Sequence, residues 1–158
     1  MRSHDVSYRL RTAADRALVL EVFPTALARA DWTLLGYALM SSHIHLVLVA
    51  GEDPAWRLLQ PLNTAIARRL NRRQNAFGPV MGERATTILA APSNALHLLT
   101  YVHNNPVRAA VVSDPSASRW TCHRAYLGLE TAPAWLGRAC RSGDGRPLSG
   151  RGGSRGIS

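Results

Sequence analysis

Two histidines separated by one apolar residue stand at the head of an apolar segment of the chain. His43 and His45 flank Ile44 and precede the apolar residues 46–49. Alternate side chains of a β-strand point to the same face, so a strand here would place the two imidazoles side by side. Such a pair can offer two nitrogen ligands to one divalent ion for phosphodiester chemistry. Histidines occupy strands for packing or hydrogen bonding more often than as ligands, so the pair alone favours a structural role.

A second set of polar residues falls on one face of a predicted helix. His97, Tyr101 and Asn105 recur every four residues and therefore share a face, while apolar residues between them supply the buried side. A tyrosine hydroxyl is a nucleophile toward phosphorus, and a divalent ion would stabilise the charge that develops during attack. Asn105 could add an amide oxygen to the two imidazoles. This mixed ligand set leaves positions open for phosphate and water, and it predicts a site for Mg²⁺ or Mn²⁺.

Each of these helix residues also has an ordinary structural interpretation. Tyr101 could be a half-buried tyrosine that makes one hydrogen bond, and Asn105, which precedes Pro106, could simply end the helix. The shared register of Tyr101 and Asn105, combined with the histidine strand, favours the catalytic interpretation of Tyr101. For Asn105 the two roles can coexist. His97 and His103 are better explained as ordinary surface residues, although either could orient a phosphate.

Local patterns outline the elements that would carry these residues. Thr12 with Asp15 resembles a capping box at a helix start, and Asp53 as N-cap with Pro54 as first residue marks a second helix. Pro106 is predicted to end the third helix. The predicted elements are a strand over residues 3–10, a helix over about 12–30, strands over 32–40 and 43–50, a helix over about 54–73, a strand over 83–90 and a helix after residue 94.

The order of these elements fits an α+β domain of ferredoxin-like type, in which two helices cover one face of an antiparallel sheet. The third helix, which bears Tyr101, would lie by the metal site. With 158 residues the chain is long enough for one such domain, which we expect to occupy residues 1–136. Residues 137–158 combine arginine, glycine and serine without apolar periodicity, and we expect a disordered tail there.

The charge balance indicates a polyanionic partner. The formal net charge is +9, the sequence pI is about 11.1, and all 19 basic residues are arginines. No segment approaches the roughly 20 apolar residues of a membrane span, and the first residues lack the apolar region of a secretory signal. Cys122 and Cys140 are too few for a disulfide framework. These observations predict a cytoplasmic location and no membrane partner.

Four segments in a fixed order carry a resemblance to a known family. They are residues 37–47 with the histidine pair, residues 77–84 with a glycine-rich stretch, residues 101–109 with Tyr101 and Asn105, and residues 119–128. They are spread through residues 4–128, and they resemble motifs of the single-tyrosine HUH transposases, specifically the REP-associated tyrosine transposase branch. The histidine pair is unspecific by itself, whereas the histidine and tyrosine motifs in this order and at this separation are quite specific.

The resemblance implies a mechanism and partners. Tyr101 would attack a scissile phosphate in single-stranded DNA, giving a 5′-phosphotyrosine link and a free 3′-hydroxyl, while His43, His45 and Asn105 hold Mg²⁺ or Mn²⁺. No ATP is needed, because the phosphotyrosine conserves the energy for rejoining. The expected substrates are DNA ends with small imperfect hairpins, and the protein would act as a monomer or homodimer. The predicted DNA-binding residues are Arg68, Arg69, Arg72, Arg73 and Arg108.

The chain departs from the family pattern at two positions. Ser42 stands where the family usually has asparagine, and Glu83 stands where glutamine is common. A carboxylate at Glu83 would repel phosphate, so this region need not contact DNA as in relatives. Two alternatives stay open: a DNA-binding protein of the same fold without catalysis, and a metal-dependent nuclease in which water replaces Tyr101 as nucleophile.

Overall fold

The chain folds into a four-stranded sheet with helices on both faces. The computed structural model describes residues 2–7, 9–78, 80, 86–89 and 91–137. The elements are β1 (Arg2–Ser7), α1 (Ala13–Leu27), β2 (Thr33–Leu39), β3 (His43–Val49), α2 (Trp56–Gln74), β4 (Thr86–Leu89), α3 (Ala95–Arg108) and α4 (His123–Tyr126). Apart from Gly137, the expected tail of residues 137–158 lies outside the described residues, and so does the departure at Glu83. Within the described part, no helix is long and apolar enough to cross a membrane.

The strands pair in the order β2-β3-β1-β4, and each neighbouring pair is antiparallel. β1 and β3 are therefore interior strands, while β2 and β4 are the edges. The element order from β1 to β4 is βαββαβ, the ferredoxin-like arrangement. The predicted α+β fold class is confirmed, and the predicted hairpin is formed by β2 and β3, with Leu39 paired to Ile44.

Side chains alternate along β3, so that some of its apolar residues and its histidines lie on opposite faces of the sheet. Ile44, Leu46 and Leu48 are buried in the core that α1 and α2 cover. His43 and His45 lie on the other face, toward α3. A smaller cluster on that face joins α3 to β2 and β3 and consists of Leu35, Ala38, Val47, Leu99 and Val102.

α1 begins with a capping box, and a residue of that box also forms a hydrogen bond with α2. The Asp15 N–H donates to Thr12 Oγ1 (3.2 Å), and the Thr12 N–H donates to Asp15 Oδ2 (2.9 Å), as the sequence predicted. Arg73 of α2 donates to the same buried carboxylate at 3.0 Å. Burial raises the pKa of Asp15, but hydrogen bonds from Thr12, Arg73 and Gln74 outweigh it, so that the pKa lies below its ordinary value.

The start of α2 differs from the sequence prediction. The helix begins at Trp56 rather than Pro54, and the prediction that Asp53 caps it is wrong. The Asp53 carboxylate instead accepts a hydrogen bond from the Asp31 N–H at 3.0 Å, and its carbonyl accepts one from the Trp32 indole at 2.8 Å. Asp53 therefore joins the loop before α2 to the loop before β2, a long-range role that overrides the local capping preference.

The C-terminal part of the described chain returns to the edge strand β2. The Leu39 N–H donates to the Trp120 carbonyl at 2.8 Å, and the Gly137 N–H donates to the Leu34 carbonyl at 2.8 Å. Between these two points the Tyr126 hydroxyl donates to a backbone carbonyl of the same strand at 2.7 Å. Residues 119–137 thus close the outer side of β2 near both of its ends.

Candidate active site

β3 holds two imidazole rings side by side on the face that α3 covers. The ring centroids of His43 and His45 are 4.5 Å apart and the ring planes are nearly perpendicular, at 85°. His45 is only 5% exposed, whereas His43, at the start of the strand, is half-buried. Because β3 is hydrogen-bonded to β1 and β2, the strand backbone fixes the spacing of the two rings.

A serine hydroxyl in the turn before β3 contacts the ring of the first histidine. Ser42 Oγ lies 2.8 Å from His43 Nδ1, a hydrogen-bond distance. The turn itself is tied down by two backbone hydrogen bonds, from the Met40 N–H to the His43 carbonyl (2.9 Å) and from the Leu10 N–H to the Ser41 carbonyl (2.8 Å). The Ser42 hydroxyl is therefore held by an anchored turn next to the ring that it contacts.

α3 places Tyr101 beside these imidazoles. The Tyr101 ring centroid lies 6.4 Å from that of His45, with the ring planes at 89°. The helix reaches this position because Leu99 and Val102 pack against β2 and β3. Tyr101 is 42% exposed, so its phenol borders both the histidine pair and solvent. The structure thus brings together three of the predicted site residues from two distant segments of the chain.

Asn105 lies one helical turn beyond Tyr101, where α3 passes through a proline. Its amide nitrogen donates to the Tyr101 carbonyl at 3.1 Å and approaches the Val102 carbonyl at 3.5 Å. In a regular helix the Val102 carbonyl would accept from residue 106, but Pro106 has no N–H. The Asn105 side chain compensates for that missing donor, and α3 continues to Arg108. The prediction that Pro106 ends the helix is wrong, and the amide oxygen of Asn105 is the atom left for a cation.

Arg108 covers the ring of Tyr101 from the last turn of α3. Its guanidinium carbon lies 5.0 Å from the Tyr101 ring centroid, a cation–π arrangement. The two residues are seven positions apart and so share a face of the helix. His97 lies one turn before Tyr101 on this face and is exposed. This face of α3 therefore presents a phenol, an amide and a guanidinium group to solvent.

The four predicted DNA-binding arginines of α2 lie across the sheet from this site, on the layer formed by α1 and α2. Arg69 pairs with Glu21 of α1 at 3.4 Å, in addition to the pair between Arg73 and Asp15. Arg68 and Arg72 are exposed and make no ion pair within the described residues. All four arginines therefore lie away from Tyr101. Two of them form ion pairs with α1, and the other two are exposed to solvent.

His103 is buried, and its interpretation as a surface residue is wrong. Its Nε2 lies 3.1 Å from Cys122 Sγ, and its Nδ1 lies 3.2 Å from His123 Nδ1. Burial and the neighbouring His123 lower the pKa of His103 to about 4, so the ring is neutral near pH 7. It lies four residues after Leu99, on the buried side of α3, which is the signal that could have predicted its burial. Its two partners contact different nitrogens of the ring.

β3 and α3 carry side chains of the chemical types that bind divalent cations. No group of three or more His, Cys, Asp or Glu side chains among the described residues could hold a metal ion. The candidate ligands include an asparagine. They are the imidazoles of His43 and His45 and the amide oxygen of Asn105. Such mixed nitrogen and oxygen donors suit Mn²⁺ and, less well, Mg²⁺, with positions left for a phosphate oxygen and water.

Comparison with solved structures finds the same fold in a REP-associated tyrosine transposase bound to a REP hairpin. The TM-score is 0.69 at 13% sequence identity, over 99% of this chain and 92% of that one. A protein of Deinococcus radiodurans R1, provisionally described as a transposase, gives a TM-score of 0.47 at 12% identity, over 66% of this chain and 89% of its own. No family model and no curated protein matches the sequence. At 13% identity, the similarity to the REP-associated tyrosine transposase shows a shared fold.

Proposed function

We propose that the chain is a metal-dependent tyrosine transposase of the REP-associated branch, which cleaves and rejoins single-stranded DNA at hairpin-containing ends. The observation that carries the proposal is the position of the Tyr101 ring, 6.4 Å from the His45 ring on the α3 side of the sheet. A potential nucleophile and a potential ligand pair meet there, although they are far apart in sequence. The fold shared with a REP-associated tyrosine transposase supports the same assignment.

His43, His45 and Asn105 are the proposed ligands of the divalent ion. The two rings would each give one nitrogen, and Asn105 would give its amide oxygen, because its amide nitrogen is engaged with the helix backbone. When bound, Mg²⁺ or Mn²⁺ polarises the phosphodiester and stabilises the negative charge of the transition state. All three protein donors are uncharged, so they do not neutralise the cation, and the site keeps its attraction for anionic phosphate.

Tyr101 is the proposed nucleophile. A bond forms between its hydroxyl oxygen and the phosphorus while the bond from phosphorus to the 3′ oxygen breaks, which leaves a 5′-phosphotyrosine and a free 3′-hydroxyl. The phenol proton passes to solvent, which reaches the 42% exposed side chain, and the leaving 3′ oxygen takes up a proton from solvent. Rejoining is the reverse exchange, in which a 3′-hydroxyl attacks the phosphotyrosine and Tyr101 leaves. The energy of the phosphodiester is kept throughout, so no nucleotide cofactor takes part.

Arg108 is the residue best placed to contact the phosphate that Tyr101 attacks. Its guanidinium group lies over the phenol ring and is exposed. A planar guanidinium group can donate two hydrogen bonds to phosphate oxygens while it remains stacked on an aromatic ring. The net charge of +9 provides a wider attraction for the DNA backbone. Arg68 and Arg72, on the opposite layer, would bind DNA outside the cleavage site.

Covalent trapping tests the proposal. The protein is incubated with Mn²⁺ and a panel of end-labelled single-stranded oligonucleotides that form imperfect hairpins, and the products are separated on a denaturing gel. The wild-type chain is expected to give a protein–DNA adduct that a protease removes and a chelator prevents. Tyr101→Phe should abolish the adduct, because it removes the nucleophilic oxygen and keeps the ring.

Tyr126→Phe is the matched control. It makes the same chemical change at a tyrosine whose hydroxyl bonds to a backbone carbonyl of β2, so the adduct should persist. Cleavage that survives Tyr101→Phe would identify a nuclease that uses water. Hairpin binding without cleavage under any divalent ion would identify a DNA-binding protein without catalysis. Either result contradicts the proposed transposase.

A further inference from the structure

We propose that Ser42 is a positioning residue that makes Nε2 of His43 the metal-binding nitrogen. The inference rests on the proposed function, since it concerns the same metal site. Its basis is the 2.8 Å contact between Ser42 Oγ and His43 Nδ1. A neutral imidazole carries one N–H, and the nitrogen without the proton is the one that can bind a metal. A serine hydroxyl can accept from a protonated Nδ1 or donate to an unprotonated one. We assign the first arrangement, in which Nδ1–H donates to Ser42 Oγ and the lone pair is at Nε2.

The two histidines differ in how firmly the protein holds them. His45 is 5% exposed, and its ring neighbours both the His43 ring and the Tyr101 ring. His43 is the first residue of β3 and is half-buried, so packing restrains its ring less. A hydrogen bond to the second nitrogen of a metal-binding histidine fixes both the tautomer and the ring orientation. His43 is therefore the ligand for which such a bond has the larger effect.

The turn that carries Ser42 is itself anchored. Hydrogen bonds from the Met40 N–H to the His43 carbonyl and from the Leu10 N–H to the Ser41 carbonyl hold its backbone on both sides. The serine side chain is short and has one rotatable bond to its oxygen. Little conformational entropy is lost when the hydroxyl holds the ring, so the hydrogen bond is an efficient restraint.

Mn²⁺ binding by the full chain tests this role without reference to DNA cleavage. Free Mn²⁺ is followed by electron paramagnetic resonance during titration of the protein. Ser42→Ala is expected to weaken binding by roughly 10- to 100-fold, the effect typical of losing a partner of a ligating histidine. Ser42→Thr keeps the hydroxyl and should restore the affinity. Ser41→Ala, the same change at the neighbouring serine, should leave it unchanged.

The tautomer of His43 gives a second measurement, made by ¹⁵N NMR of the metal-free protein. The wild-type ring should be protonated at Nδ1, and Ser42→Ala should shift it toward the Nε2-protonated form. Wild-type Mn²⁺ affinity in Ser42→Ala, or an Nε2-protonated wild-type ring, would overturn the inference. Adduct formation with unchanged Mn²⁺ affinity in Ser42→Ala would leave the transposase proposal standing. Absence of an adduct with an Nδ1-protonated wild-type ring would overturn the transposase proposal alone.

Discussion

Gly36 of β2 lies where α3 packs against the sheet. A Cβ on Gly36 would clash with Leu99 Cδ2, and it would also lie 3.5 Å from Cys122 Sγ and 3.7 Å from His103 Nε2. The glycine therefore allows the helix and the closing segment to pack closely against β2. Since α3 carries Tyr101, this close packing also sets how near the phenol comes to His45.

Gly36→Ala should affect both stability and reactivity. The buried Leu99 side chain must move to accept the methyl group, which we expect to cost about 1–3 kcal/mol of unfolding free energy. The shift of α3 away from β2 should also slow adduct formation. Urea denaturation and the adduct rate measure the two effects.

Leu99→Ala in the Gly36→Ala background supplies the control. The smaller side chain removes the clash, so the double variant should be less destabilised than the sum of the two single variants. Strict additivity, or wild-type stability in Gly36→Ala, would show that the packing of Leu99 on Gly36 does not set the position of α3.

Residue patterns predicted which candidate side chains share a face where one element determined the geometry. The common face of His43 and His45 follows from the two-residue repeat of a strand, and that of Tyr101 and Asn105 follows from the helical repeat. The partners of His103 could not be predicted in this way. Cys122 and His123 belong to the closing segment, and their contact with α3 depends on how that segment returns to the sheet.

At the scale of elements, α2 has two basic sides with different surroundings. Arg69 and Arg73 face α1, where each meets a carboxylate, and the Asp15 partner of Arg73 is buried. Arg68 and Arg72 face solvent. The sequence predicted one basic cluster on this helix, because spacing alone cannot show that a neighbouring helix brings acidic side chains to one of its sides.

The two pairs of arginines should respond differently to alanine substitution. Arg68→Ala with Arg72→Ala should weaken hairpin binding and reduce the salt dependence of log K by about one unit for each phosphate that is no longer bound, at unchanged stability. Arg73→Ala should lower the unfolding free energy by about 1–3 kcal/mol, since it removes a partner of a buried carboxylate. Fluorescence anisotropy at several salt concentrations and urea denaturation measure these effects.

Arg69→Ala is an internal comparison. Its ion pair with Glu21 is exposed on both sides, so its loss should cost no more than about 1 kcal/mol. If the Arg68 and Arg72 substitutions left affinity and salt dependence unchanged, the outer side of α2 would not be a DNA-binding surface.

At the scale of the whole molecule, the described fold ends where the closing segment meets β2. Leu136 forms a parallel bridge with Leu34, and Gly137 is buried and bonded to the same strand residue. The predicted ferredoxin-like arrangement covers β1 to β4, whereas the course of residues 119–137 was not predicted. Isolated bridges and single hydrogen bonds leave no periodic pattern in the sequence.

Truncation tests the proposed division into a domain and a basic tail. A chain that ends after Gly137 should keep the unfolding free energy of the full chain, because the hydrogen bond and the bridge to Leu34 remain. The shorter chain has five fewer arginines, so its affinity for single-stranded DNA should fall, and the fall should be greatest at low salt. A decrease in stability, or unchanged affinity and salt dependence, would contradict this division.

The interior position of β3 in the sheet determines how easily its backbone amides become exposed. A strand with a hydrogen-bonded neighbour on each side exposes its amides only when one of those ladders separates, an event that approaches global unfolding in a small domain. α3 is attached to the sheet through side chains such as Leu99 and Val102, and it can tilt at a lower cost. We therefore expect the imidazoles to lie on slowly exchanging backbone, whereas the proposed nucleophile Tyr101 lies on a helix that can move relative to the sheet.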